Sequence, residues 1–220
     1  MKTEEFIEGL VADIKPVRPL RPPGARTVAW MAISLPYVAA VAWAKLATGD
    51  PVRALGDTHF LIQQAATLTT ALTAAVAAFR SAVPGYSMAV VLLPIMPLGL
   101  WVATAGHGCM QDWLQVGIDG LAIRPDWDCL PIAAMMGVVP AATLIVMLRK
   151  AAPLHPRITL ALAALAVASL VNLGLQFAHF RDASIIILVW HLGAAAVLVA
   201  LGGWLGKPVL GWQPRPVPTR

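Results

Sequence analysis

Six long apolar stretches dominate this sequence and constrain its fold more than any other feature. They cover residues 27–47, 60–79, 88–106, 128–148, 158–178 and 185–205. A bilayer core about 30 Å thick requires roughly 20 apolar residues in a helix that rises about 1.5 Å per residue, so each stretch is long enough to span a membrane. The chain is 59% hydrophobic and only 12% charged, which excludes a soluble globule. The sequence predicts an all-α integral membrane protein, a six-transmembrane-helix bundle.

The positions of the charged residues predict that both termini are cytoplasmic. Cytoplasmic loops carry an excess of lysine and arginine. With the N-terminus inside, twelve of the 16 basic residues are cytoplasmic and seven of the 11 acidic residues lie outside. This asymmetry accounts for the net charge of +5, and no basic run interleaved with aromatic residues points to direct nucleic-acid binding. We expect a cytoplasmic segment 1–26, a membrane domain 27–205 with an outer loop 107–127, and a cytoplasmic proline-rich tail 206–220.

The N-terminal segment combines a short amphipathic helix with a tether rich in proline and arginine. Five large apolar residues share one face of this helix: Phe6, Ile7, Leu10, Val11 and Ile14. Residues 1–15 carry four acids and two bases, whereas helices that rest on the anionic inner leaflet are usually basic. The pattern favours docking of the apolar face into a groove of a partner protein that has a basic rim, and leaves rest on the membrane as the alternative.

Two cysteines, Cys109 and Cys129, lie near the two ends of the outer loop. In an oxidising compartment they can pair, and a disulfide that closes a loop of about 20 residues stabilises by roughly 3 kcal/mol. The alternative is a soft metal ion at the outer face, the one cofactor that the sequence suggests, because thiolate and imidazole ligands suit Cu(I). The candidate metal ligands are Cys109, Cys129, His107, His179 and His191.

Polar side chains also cluster in the outer half of the membrane domain. They are Gln63, Gln64, Asn172, Gln176 and Asp182. His191 is predicted to lie about two turns into the sixth span, where an imidazole requires a partner. We expect these groups to form a hydrogen-bonded network that couples the outer loop to helix packing.

Two classes of membrane protein, soft-metal transporters and thiol–disulfide oxidoreductases, are compatible with cysteines at the outer face. A soft-metal transporter is favoured by the methionines and histidines but disfavoured because no metal ligands continue through the membrane centre. A membrane thiol–disulfide oxidoreductase is disfavoured because one widely spaced cysteine pair does not provide a relay between pairs. We therefore expect that the protein is not an enzyme.

Several short motifs follow one another along nearly the whole chain. They are the acidic opening Met1 to Asp13 with Pro16-Val17-Arg18, Phe79-Arg80 with Pro84-Gly85, Cys109 with Trp113, Cys129, Ala152-Pro153-Leu154 with Pro156, His179 with Asp182, and Trp190-His191 with Gly193. In their order and spacing they resemble the NrsF family of transmembrane anti-sigma factors, negative regulators of sigma F in bacteria. A basic residue often follows the Pro-Gly turn in that family, whereas Tyr86 stands here.

The resemblance implies a function for both ends of the molecule. It implies that segment 1–26 holds an extracytoplasmic-function sigma factor at the bacterial inner membrane. It also implies that Cys109 and Cys129 are the sensor whose reaction under redox or heavy-metal stress releases that sigma factor. The expected partners are therefore the sigma factor and the lipid bilayer.

Overall fold

The computed structural model describes residues 3–12, 19–45, 56–116, 129–151, 153–178 and 191–211. All regular elements in these ranges are helical: α1 Thr3–Ala12, α2 Pro23–Lys45, α3 Thr58–Ser81, a short 3-10 helix Met88–Leu92, α4 Ile95–Val116, α5 Cys129–Arg149, α6 Pro156–Ala178 and α7 Gly193–Leu210. Six spans among them are long and apolar enough to cross a membrane. The prediction of an all-helical chain with six such spans is confirmed for the described residues.

The first membrane helix begins earlier than predicted. α2 starts at Pro23, four residues before the predicted start at 27, because proline is favoured at the first position of a helix, where its missing N–H is not needed. The Thr27 hydroxyl donates to the Pro23 carbonyl at 3.0 Å in this first turn. Arg26, predicted to end the cytoplasmic segment 1–26, therefore lies in the first turn of α2.

The third candidate span, Met88–His107, has nearly the predicted bounds and is interrupted near its start. Pro94 cannot donate a main-chain hydrogen bond, and the chain changes there from the 3-10 helix to α4. α4 then continues to Val116, so residues 107–116 are helical and not part of an outer loop as predicted. Continuing the helix satisfies main-chain groups at the membrane surface without help from other segments.

The last helix ends later than predicted, at Leu210 and not at 205. Lys207 lies in its last turn, where a positive charge interacts favourably with the helix dipole. Leu210 is buried, so packing stabilises this extra turn despite Pro208. Residues 206–210 are thus helical and not part of a tail.

α6 is the central helix of the bundle. It packs against α2, α3, α5 and α7, and 67% of its apolar stretch is buried. Its main seam with α3 is lined by small residues, including Ala74 and Ala78 of α3 and Ala163 and Ala166 of α6, all buried. Small side chains let membrane helices approach closely, which is how association is stabilised where lipid removes the hydrophobic driving force.

α7 packs against α6 through two glycines four residues apart. A Cβ atom on Gly202 would lie 2.9 Å from the Leu160 carbonyl oxygen, and one on Gly206 would collide with the main chain of Pro156. This small-xxx-small spacing is a frequent packing motif of membrane helices. It sets the antiparallel register of the two helices.

Successive membrane helices alternate in direction, so the bundle has two ends. We call one end the basic face: α2 and α6 begin there, and α3, α5 and α7 end there. The other end, the cysteine face, is where α4 ends and α5 begins with Cys129. Cross-contacts fix this arrangement, because Arg26 near the start of α2 contacts Phe79 and Met147 near the ends of α3 and α5.

Candidate functional site

The main chain of both cysteines lies at the cysteine face. Cys109 is in the C-terminal part of α4, and Cys129 is the first residue of α5. Their side chains and residues 117–128 lie outside the described part of the structure. The helices that carry the cysteines are consecutive in the chain, and α4 packs on α3 whereas α5 packs on α2 and α6.

Two histidines meet at the cysteine face. The ring centroids of His59 and His107 lie 5.8 Å apart, and the His59 Nε2 atom lies 3.1 Å from the Thr104 carbonyl oxygen. His59 is absent from the predicted metal set, although its position at the start of the second span predicts the same membrane face. Among the described residues, no group of three or more His, Cys, Asp or Glu side chains is arranged to hold a metal ion.

The other predicted metal ligands do not join this pair within the described part of the structure. His191 is buried and lies in a π-helical turn, residues 191–192, that leads directly into α7. His179 lies outside the described residues, as does Asp182 of the predicted polar network.

The four remaining members of the predicted polar network lie on two facing helices. Gln63 and Gln64 are on α3, Asn172 and Gln176 are on α6, and all four are buried. The Gln176 side chain donates to the Thr67 hydroxyl at 3.5 Å, and the Gln64 side chain donates to the Leu173 carbonyl at 3.4 Å. Thr67 is a member that the sequence reasoning missed, although it lies one turn after Gln63.

This cluster has more hydrogen-bonding groups than partners. Gln63 Nε2, Gln64 Oε1, both side-chain polar atoms of Asn172, and Gln176 Oε1 are buried without a hydrogen-bond partner among the described residues. A buried polar group left unpaired costs about 1–3 kcal/mol, so the cluster lowers the stability of the folded protein. Its amides therefore have unused capacity for a second arrangement or for a polar ligand.

The basic face contains a buried cation from the predicted cytoplasmic segment 1–26. Arg26 is 5% exposed, its guanidinium lies 4.5 Å above the centre of the Phe79 ring, and it donates to the Met147 carbonyl. A cation above an aromatic ring is attracted by the quadrupole of the ring, and more strongly when both are desolvated. Arg26 thus ties the start of α2 to α3 and α5.

Two further side chains of α2 donate to main-chain carbonyls of α5. The Trp30 indole N–H bonds to the Pro140 carbonyl at 3.0 Å, and the Tyr37 hydroxyl bonds to the Met135 carbonyl at 2.8 Å. With Arg26 they form a row between residues 26–37 of α2 and 135–147 of α5, which we call the α2–α5 row. Pro140 has no N–H and interrupts the ladder of α5 within this row.

Sequence reasoning did not find the α2–α5 row. The sequence does contain a signal for the row: Arg26, Trp30 and Tyr37 are large side chains with polar ends in an otherwise apolar stretch. Inside a membrane, each of them requires a hydrogen-bond partner. The acceptors are main-chain groups more than 90 residues away. No side-chain pattern reveals them.

α1 forms, as predicted, and part of its apolar face is uncovered. Ile7 is 52% exposed and Val11 is 60% exposed, and Glu4 and Glu8 are also exposed. The side chains of Phe6 and Leu10 lie outside the described part of the structure, as does Ile14. An isolated helix of ten residues is marginal in water, so α1 requires a surface to pack on.

These features define the class of protein: a six-span helical membrane protein with a short acidic helix joined to its basic face and two cysteines at the opposite face. A model of the NrsF family, described as negative regulator of sigma F, matches residues 10–212. The chain therefore belongs to the NrsF family, whose description makes it an anti-sigma factor with a sigma factor as its partner. No curated protein and no solved structure matches the chain.

The match confirms the family suggested by the sequence motifs. It includes both cysteines and the four amides of the network. Phe6 and Ile7 precede the matched region, whereas Leu10 and Val11 are within it.

Proposed function

We propose that this anti-sigma factor holds an extracytoplasmic-function sigma factor at the bacterial inner membrane through segment 1–26. We further propose that reaction of Cys109 and Cys129 in the periplasm, with an oxidant or a soft metal ion, releases the sigma factor. The proposal places the basic face in the cytoplasm, where lysine and arginine are retained.

One observation carries this proposal: α5 connects the two functional ends. Its first residue is Cys129, and the α2–α5 row attaches its residues 135–147 to α2, the helix that begins at the end of the proposed sigma-binding segment. A shift of α5 at the cysteine face therefore changes the position of α2 or breaks bonds of the row. Either change alters how α1 is presented.

The two cysteine thiols can react in two ways, by oxidation to a disulfide or by binding a soft metal ion. A disulfide forms when the two thiols give up two protons and two electrons to a thiol oxidant, such as a peroxide or another disulfide. A soft cation instead displaces two protons and is held by two thiolates. Either product links α4 to α5, so the relative position of these helices changes.

The amide cluster between α3 and α6 supports a switch between two arrangements. A signal changes occupancy of a partner only as far as it favours one state over another, and typical couplings of about 1–3 kcal/mol change affinity by roughly 5- to 150-fold. The cost of leaving a buried amide unpaired, about 1–3 kcal/mol, is of the same size as these coupling energies. The cluster therefore provides hydrogen bonds that are available in one state and not in the other.

The sensor is tested by replacing each cysteine. We expect Cys109→Ser and Cys129→Ser each to abolish induction of the genes that the sigma factor transcribes, measured with a reporter after oxidant or copper treatment. Full-length protein must remain in the membrane at normal abundance. A normal response in both variants would reject the sensor role.

The sigma-binding helix is tested separately. Leu10→Asp places a charge on the apolar face predicted for α1, and we expect it to free the sigma factor while the protein still inserts in the membrane. The matched control is Ala12→Asp, two residues away and about 160° around the helix. Co-purification of the sigma factor with the full-length chain measures binding, and equal retention by both variants would contradict the proposal.

A further inference from the structure

The loops of the basic face form a pocket that the proposed function does not use. The pocket has a volume of about 210 Å³ and is lined by Pro84, Gly85, Tyr86, Met88, Leu154 and His155. It therefore lies between the loop after α3 and the loop before α6. Its size suits one aliphatic or aromatic side chain.

Local structure holds this pocket open. Gly85 has a φ of +79°, the left-handed conformation that the Pro84-Gly85 turn requires and that other residues adopt only with strain. The turn presents Tyr86 to the second loop, and the rings of Tyr86 and His155 meet edge to face with centroids 6.0 Å apart. Met88 and Leu154 are 65% and 69% exposed and leave an uncovered apolar patch beside these rings.

The end of the bundle that carries the pocket is positively charged. Six basic residues of the basic face are exposed: Arg21, Arg80, Arg149, Lys150, Arg157 and Lys207. The described segments of this face, 19–26, 80–93, 149–151, 153–157 and 207–211, contain no acidic residue. The occupant that fits is therefore an apolar side chain on an acidic support.

α1 has these properties and is attached to the same face. It exposes Ile7 and Val11 together with Glu4 and Glu8. The ten residues between α1 and α2 span at most about 36 Å, whereas packed helices are only about 8–10 Å apart. Since α3 and α6 both pack against α2, the pocket is within reach of α1.

We propose that α1 docks on the basic face of its own chain, with its apolar face over the Tyr86–His155 pocket and its glutamates beside Arg80 and Arg157. The docked helix is the alternative to the partner-bound helix, because both use the same apolar face. This docking does not depend on the proposed function, but its consequence rests on it. If α1 is docked nine tenths of the time, the apparent affinity for the sigma factor falls about tenfold.

Cysteine cross-linking tests the docking in the full-length chain. In a Cys109→Ser, Cys129→Ser background, we introduce Ile7→Cys with Leu154→Cys, reconstitute single copies in lipid nanodiscs, and add a short bismaleimide. The control pair is Ala12→Cys with Leu154→Cys, because residue 12 is about 140° around the helix from residue 7. We expect the Ile7 pair to cross-link at least about fivefold faster, the lower end for a coupling of about 1 kcal/mol.

Charge reversal provides the second arm. Arg157→Glu should slow cross-linking of the Ile7 pair, and adding Glu8→Lys should restore it, whereas Lys207→Glu on α7 should have little effect. Equal rates for the two cysteine pairs, or insensitivity to Arg157→Glu, would overturn the proposal. Quenching of a fluorophore at residue 7 by brominated lipid, without cross-linking, would assign α1 to the bilayer instead.

The same experiment separates this proposal from the proposed function. It contains no sigma factor, so absence of cross-linking rejects docking and leaves binding of the sigma factor by α1 intact. A cross-linked product of twice the chain mass, obtained at high density in vesicles and not in single-copy nanodiscs, would show exchange of α1 between copies and would also reject docking on its own chain.

Discussion

The two ends of the bundle use buried polar groups in different ways. At the basic face the buried Arg26 donates to the Met147 carbonyl, and the buried Ser81 and Thr159 hydroxyls lie 3.0 Å apart. Toward the cysteine face, the amides of Gln63 and Asn172 are buried with atoms that have no partner among the described residues. The first end is tied together, whereas the second retains hydrogen-bonding capacity. On the proposed function, this difference favours a rearrangement that starts at the cysteine face.

Breaking the tie at Arg26 should have the largest effect on stability. Arg26→Ala removes a charged hydrogen bond and a cation–π contact, together worth about 2–4 kcal/mol. We expect a loss of this size in the free energy of unfolding in bicelles, measured by denaturant titration. Arg26→Lys keeps the charge above Phe79 and should recover part of the loss. Full stability of Arg26→Ala would show that the basic face is not held by this residue.

Separating α6 from α7 should have the next largest effect. Gly202→Leu places a side chain where the Leu160 carbonyl lies 2.9 Å from the Cβ position, and overpacking costs about 1–3 kcal/mol. Gly203→Leu is the matched control, since the nearest atom to its Cβ position is the Ala161 Cβ at 3.9 Å. The same unfolding measurement applies, and equal losses for the two variants would contradict the packing described for this pair.

A single bond of the α2–α5 row should matter less for stability than for signalling. Trp30→Phe removes the donor to the Pro140 carbonyl and keeps most of the ring, so we expect a loss of about 0.5–1.5 kcal/mol. On the proposed function it should also weaken the response of the reporter to oxidant. A response that stays unchanged in Trp30→Phe combined with Tyr37→Phe would show that the row does not transmit the signal.

Removing an amide at the cysteine-face end should have the smallest effect, and of opposite sign. Asn172→Leu eliminates two unpaired polar atoms at similar volume, so stability should be unchanged or slightly higher. Membrane hydrogen bonds average only about 0.6 kcal/mol, which also limits any loss. A loss as large as that of Arg26→Ala would show that the two ends do not differ. The control is Ser81→Ala, which breaks a paired hydroxyl and should destabilise.

The sequence predicts the amide cluster of the candidate site better than it predicts the contacts of Arg26. The amides at 63, 64, 172 and 176 are recognisable in the sequence because a polar side chain in an apolar stretch requires a hydrogen-bond partner. The structure places these amides on facing helices. The burial of Arg26 is harder to predict, because an arginine that closely follows Pro22-Pro23 has the composition of a tether. Its burial depends on Phe79, which only the packing of α2 on α3 brings near.

The sequence by itself determined the six helical spans, their alternating direction and the acidic helix at the N-terminus. Hydropathy determines these features locally, because a main chain in lipid must satisfy its own hydrogen bonds and therefore forms helices. Tertiary structure alone decided that side chains of α2 donate hydrogen bonds to carbonyls of α5 and that His59 contacts His107. It also decided that α6 packs closely against α7 at Gly202 and Gly206. These pairings depend on the rotation and neighbours of each helix, which result from close packing over the whole bundle.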